Sequence, residues 1–147
     1  MKKVILIPLI ATSSLFGCQD QTQSEQKVAV EAKQQVPDWV GEYSGTTPCM
    51  GCLSRCEDCP GMAVTLTLHQ NQSFELHRES LSEHNGVEKL TGTLRFTDAD
   101  QQQIELMQVT TRNLMFFNVK EKQLEIREDV SAKEYQMQSD FILAKQI

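Results

Sequence analysis

The sequence predicts an all-β protein, a small antiparallel meander closed into a barrel, and three observations predict it. Apolar residues recur at every second position in several short segments, polar turns separate those segments at regular spacing, and no stretch carries the 3.6-residue period of an amphipathic helix. Closing such a meander is the simplest way to remove its exposed edges.

Each element follows from the pattern. Trp39, Val40 and Tyr43 mark the first packed segment after Pro37. The clearest strand has Met62, Val64, Leu66 and Leu68 alternating with Ala63, Thr65, Thr67 and His69. Gln70-Asn71-Gln72 is a polar turn into Phe74 and Leu76, which makes a hairpin. Leu90, Gly92, Leu94 and Phe96 continue the alternation, Asp98-Ala99-Asp100 turns the chain, and Ile104 and Leu106 resume it. Further strands are predicted at 114–119, 124–127 and 141–143, about eight in all. Leu66, Leu94, Phe116 and Ile126 are expected to fill the interior, and Thr65, Thr67 and Arg95 to face water. His69, His77 and His84 are dispersed and read as solvated strand residues.

The N-terminus reads as an export signal. Met1, Lys2 and Lys3 precede a largely apolar run from Val4 to Ile10. That run falls short of the roughly 20 apolar residues a membrane-spanning helix needs, and its charged start and polar end match a cleaved signal peptide. Leu15-Phe16-Gly17-Cys18 resembles a lipobox, an aliphatic residue and then a small one before an obligatory cysteine. Residues 1–17 are therefore expected to be removed and Cys18 to carry the lipid. Several acyl chains on one cysteine anchor a protein firmly, so the expected partner is a membrane reached through a lipid anchor. Gln19, where an aspartate would favour the inner membrane, points to the outer membrane and its periplasmic face. Residues 18–38, rich in glutamine and charge, are expected to form a flexible tether, and residues 39–147 one domain.

A formal net charge of −6 argues against a nucleic-acid partner. The sequence shows no glycine-rich phosphate loop, no Ser-His-Asp order and no recognisable pair of carboxylates, and no catalytic residue is predicted.

The most informative segment is Cys49-Met50-Gly51-Cys52-Leu53-Ser54-Arg55-Cys56-Glu57-Asp58-Cys59-Pro60-Gly61, two CxxC pairs in close succession. Disulfides are the first reading, since an exported protein meets an oxidising environment and four cysteines allow three pairings. Metal binding is the second, because thiolates suit Cu(I) and Zn(II). Met50 and Met62 would add soft thioether ligands. The spacing is tighter than that of a zinc ribbon. An iron–sulfur cluster is disfavoured, because its ferredoxin spacing differs and a chain exported unfolded would not carry one. A thiol oxidoreductase would place its CxxC at a helix N-terminus, and no helix is predicted there.

These residues resemble the NlpE N-terminal domain family of copper-resistance and envelope-stress-sensing lipoproteins. The resemblance runs from Tyr43, Gly45, Thr46, Thr47, Pro48 and Cys49 through Cys56 to Met62. It continues into Val64-Thr65-Leu66-Thr67-Leu68, the hairpin at Asn71, Phe74 and Leu76, and Phe141 to Leu143, covering about residues 39 to 145. It implies a lipocalin-like barrel and a non-enzymatic lipoprotein linked to copper tolerance, adhesion and signalling to a Cpx-type sensor kinase. The family's site is a single CxxC, doubled here. Cys56 with Cys59 is the preferred counterpart, because Pro60-Gly61 and the strand follow it directly. Copper is the one cofactor implied. The OB-like second domain of full-length family members is not expected in this chain. Two rival functions remain: a lipocalin-like binder of an apolar ligand, and an inhibitor of an envelope-targeting enzyme that presents a disulfide-braced loop.

Overall fold

The structure, a computed structural model, describes residues 35–82 and 86–147. The signal peptide, Cys18, the tether up to residue 34 and His84 lie outside the described residues.

Eight antiparallel strands close into one barrel, each paired with its sequence neighbours and the last with the first. They are β1 (Gly41–Thr47), β2 (Met62–Leu68), β3 (Ser73–Ser80), β4 (Val87–Phe96), β5 (Gln103–Leu106), β6 (Leu114–Asn118), β7 (Gln123–Ile126) and β8 (Ile142–Lys145). A short 3₁₀ turn, Gln138–Phe141, leads into β8. The expected meander is therefore the observed fold.

Local chemistry fixes the turns. At the β2–β3 hairpin Gln72 takes a positive φ of 62°, and the Asn71 carboxamide accepts the Ser73 N–H at 3.1 Å. At the β4–β5 turn the Asp98 carboxylate accepts the N–H groups of Gln102 and Gln103, at 3.0 and 2.8 Å. Both are the side-chain-to-backbone bonds that let Asn and Asp mimic a turn.

The alternation on β2 and β3 places Met62, Val64, Leu66, Leu68, Phe74 and Leu76 inside, all buried. Leu94, Ile104, Leu106, Met115, Phe117, Leu124, Ile126 and Leu143 complete the filling from the remaining strands. Each large apolar side chain so buried contributes about 1.5–3 kcal/mol. At one end Trp39 packs edge-on against Phe96, centroids 5.2 Å apart, and its carbonyl accepts the Tyr43 hydroxyl at 2.8 Å. Gly45 makes the closure possible, since a Cβ there would come within 2.5 Å of the Ile142 carbonyl on β8.

One predicted interior residue is not inside. On β6 the buried positions are Met115 and Phe117, in register with Ile126 and Leu124. Phe116 lies on the outer face, where the Arg127 guanidinium sits 4.9 Å over its ring. Leu114 to Phe117 is apolar without interruption, so the sequence alone leaves the strand's phase undetermined, and pairing with β7 decides it.

An up-and-down barrel sorts its connections between two ends. Segments 48–61, 107–113 and 127–141, with Leu81 and Gly86 of the β3–β4 connection, lie at one end; the turns 69–72, 97–102 and 119–122 lie at the other, where the chain also enters β1. The cysteine segment belongs to the first end, opposite the entry of the chain.

Candidate functional site: the cysteine loop and its arginine anchor

Residues 48–61 join β1 to β2 as one long loop. A disulfide links Cys49 to Cys59, and Cys52 and Cys56 are thiols. The bond joins the first cysteine of one CxxC to the last of the other, so neither motif is closed on itself. Each CxxC nevertheless forms its own tight turn: the Cys52 N–H donates to the Cys49 carbonyl at 2.9 Å, and the Cys59 N–H to the Cys56 carbonyl at 3.2 Å.

The loop ends where β2 must restart against β1. Gly61 has φ +90°, and a Cβ on it would lie 2.4 Å from the Thr47 carbonyl oxygen. Glycine is required there for both reasons. The Gly61 carbonyl in turn accepts the Leu81 N–H at 2.9 Å.

What fastens the loop to the barrel is Arg112, from the β5–β6 connection. It is buried, and its guanidinium donates to Thr47 Oγ1 at 3.2 Å and to the carbonyls of Pro48, Cys49 and Cys52 at 2.7, 2.8 and 3.0 Å. The planar fork of an arginine suits several acceptors at once. The group also lies 5.0 Å over the Phe141 ring, which stacks on Tyr135 with centroids 3.7 Å apart. Burial lowers the Arg112 pKa from its ordinary value, while Tyr135 and Asp129 act in the other direction.

A second buried arginine holds the first. Arg78, inward-facing at the mouth end of β3, donates to the carbonyls of Thr111 and Arg112 at 2.8 and 3.2 Å and pairs with Glu88 at 3.1 Å. Arg55, between the two CxxC turns, donates its N–H to Asp140 at 2.9 Å and its side chain to the Thr46 carbonyl. The loop is thus tied to three other elements through its backbone, while Met50 and Leu53 stay exposed.

Of the predicted site residues, Cys49, Met50 and Met62 line one open cleft of about 350 Å³, together with Arg78, Ser80 and Glu88. Met62 is also a buried core residue at the start of β2. Among the described residues no three His, Cys, Asp or Glu side chains are grouped to hold a metal ion. A four-thiolate centre does not fit this form of the loop, because Cys49 and Cys59 have spent their thiols in the disulfide. His69 pairs with Glu75 at 3.2 Å, and His77 lies on the outer face of β3.

Two features of the mouth were not expected from sequence: the arginine anchors and an apolar rim. Met50, Leu53, Leu81, Val87, Val130 and Met137 are all exposed, and all sit in or beside connections at the cysteine end. A separate cleft of about 470 Å³ opens on the outer face of β5–β7 around Phe116 and Arg127 and holds no predicted site residue.

The family model for the NlpE N-terminal domain matches residues 43–140. A solved structure from Shewanella oneidensis, described as a "putative lipoprotein", is similar over 79% of this chain and 96% of its own, with 26% identity and a TM-score of 0.60. No curated protein matches the chain. The matched span covers more than half of the chain and takes in most of the barrel, so the chain belongs to the NlpE N-terminal domain family.

Proposed function

We propose that this protein is a non-enzymatic lipoprotein of the bacterial envelope, anchored through Cys18 in the outer membrane at its periplasmic face, whose cysteine loop senses copper or thiol redox state. The observation that carries this reading is the loop itself. It holds one disulfide and two thiols, is fixed to the barrel largely through its backbone carbonyls, and contributes Cys49 and Met50 to a cleft that Met62 also lines. Sulfur donors of this kind prefer Cu(I). The exposed apolar residues at the cysteine end, among them Met50, Leu53 and Met137, offer apolar contacts to a protein partner, such as a sensor kinase of the Cpx type.

The rival reading as a carrier of an apolar ligand is disfavoured by an interior occupied by Tyr43, Phe74, Phe117, Phe141 and the leucines of β2 to β8. The inhibitor reading draws on the same braced loop and is separated from the sensor by its indifference to copper.

The test is thiol counting by mass spectrometry on protein purified from the envelope, with and without Cu(I). Two free thiols that become protected by an equimolar amount of Cu(I) support the sensor. Thiols that react equally with and without the ion overturn the copper reading.

A further inference from the structure

The loop contains two CxxC turns and one disulfide, and the disulfide runs between the turns rather than within either. Cys56 and Cys59 face each other as an antiparallel bridge pair, closed by the Cys59 N–H to Cys56 carbonyl bond. Opposed residues in such a pair have Cα atoms about 4.5–5.5 Å apart with side chains on one face, within the roughly 4.4–6.8 Å that disulfides span. Cys56 is exposed and carries a thiol. The Cys49 and Cys52 carbonyls, by contrast, are held by Arg112, so the backbone of the first turn stays in place whichever sulfur Cys49 is bonded to.

The geometry points to an internal thiol–disulfide exchange that gates the site. The Cys56 thiolate attacks Sγ of Cys59, a Cys56–Cys59 bond forms as the Cys49–Cys59 bond breaks, and Cys49 leaves as a thiolate. The bonding pair goes to the Cys49 sulfur, which takes up the proton that Cys56 gave to solvent. One disulfide and two thiols stand on each side, so no oxidant or reductant is consumed. Before the exchange the thiols are divided between the turns, Cys52 on one and Cys56 on the other. Afterwards both belong to the Arg112-held turn, Cys49 and Cys52, beside Met50 and Met62. The inactive form is thus a stored isomer of the ion-binding form, and a thiophilic ion would shift the balance by capturing the dithiol. The exchange stands on the geometry of the turns; its role as a gate rests on the sensor reading above.

The sequence supplies its own assay, because trypsin cleaves after Arg55, between the two CxxC motifs, giving peptides 34–55 and 56–78. Mature full-length protein is held anaerobically at pH 8 with or without equimolar Cu(I), stripped of the ion at acid pH, alkylated, and digested without reduction. The Cys49–Cys59 isomer keeps the two peptides joined. Exchange releases peptide 34–55 with two alkyl groups and peptide 56–78 with an internal disulfide. We expect released peptides to appear at pH 8, to increase severalfold with Cu(I), and to be absent in the Cys56→Ser variant. Release that Cu(I) leaves unchanged keeps the exchange and overturns the copper reading. Peptides that remain joined under every condition overturn the exchange, even where thiol counting shows Cu(I) protection. Release from Cys56→Ser overturns the assignment of Cys56 as the attacking thiol.

Discussion

The Arg78 guanidinium donates to the main-chain carbonyl of Arg112 at 3.2 Å, so one buried arginine holds the backbone of the next, and the next holds the cysteine loop. Removing either leaves buried carbonyls without donors, which costs about 1–3 kcal/mol per group. Arg112→Ala is expected to lower stability by roughly 2–4 kcal/mol, allowing for partial relaxation, and to make the loop the first site of proteolysis. Urea unfolding and limited digestion check both.

Arg78→Ala is expected to cost a similar amount, whereas Glu88→Gln, whose carboxylate is half exposed, should cost less than about 1 kcal/mol. Because the two arginines act in series, the double variant should fall short of the sum of the singles, by more than the few tenths of a kcal/mol seen for independent sites. A double-mutant cycle in urea measures the difference.

Gly61 and Gly51 both have strongly positive φ, +90° and +86°, but only Gly61 faces a backbone oxygen across the gap. Gly61→Ala should cost well over 1 kcal/mol and weaken the β1–β2 pairing, while Gly51→Ala should cost about 1 kcal/mol or less. Thermal unfolding of the two variants side by side separates conformational strain from collision.

Burial raises the Tyr43 pKa well above its ordinary value of 10.0, with Asp38 adding to the effect, and the Tyr135 pKa is raised as well, again mainly by burial. A pKa raised on folding means the neutral phenol is favoured in the folded state. Its contribution is complete below pH 10 and is lost as pH rises from there towards the folded-state value. Stability should therefore fall above pH 10, and Tyr43→Phe should flatten that fall while losing about 1 kcal/mol at neutral pH with the bond to Trp39. Denaturant melts from pH 8 to 12 check the sign.

Cutting the Cys49–Cys59 bond should cost about 2–3 kcal/mol by the loop-entropy relation. Cys52→Ser should leave the melting temperature of the oxidised protein nearly unchanged, and Cys49→Ser should lower it. Calorimetry with and without reductant tests this.

The strands were legible because their inner faces alternate cleanly: Met62 to Leu68 could be placed residue by residue, and the turns at Asn71 and Asp98 carry side chains that make the turn. The β6 phase was not, because four consecutive apolar residues carry no alternation. The cysteine segment stood out as the candidate site, but which of its sulfurs bond was open from the sequence, and the bond joins Cys49 to Cys59. Spacing does not encode which sulfurs meet once the turns fold. Arg112 was invisible for a different reason. In Thr110-Thr111-Arg112-Asn113 it sits in polar company and reads as a solvated turn residue. Only barrel closure brings the β5–β6 connection under the loop and turns an apparent surface charge into a buried one.

Three of the four acceptors on Arg112 are main-chain carbonyls, which every amino acid offers alike. The barrel mouth therefore works as a socket that grips the shape of a turn and is indifferent to the side chains the turn displays. A socket of that kind lets the displayed chemistry diversify, by substitution or by lengthening such as a second CxxC, at little cost to folding. Relatives with quite different loops could then share this architecture, and a left-handed arginine two residues before the sixth strand would identify them better than any spacing of cysteines.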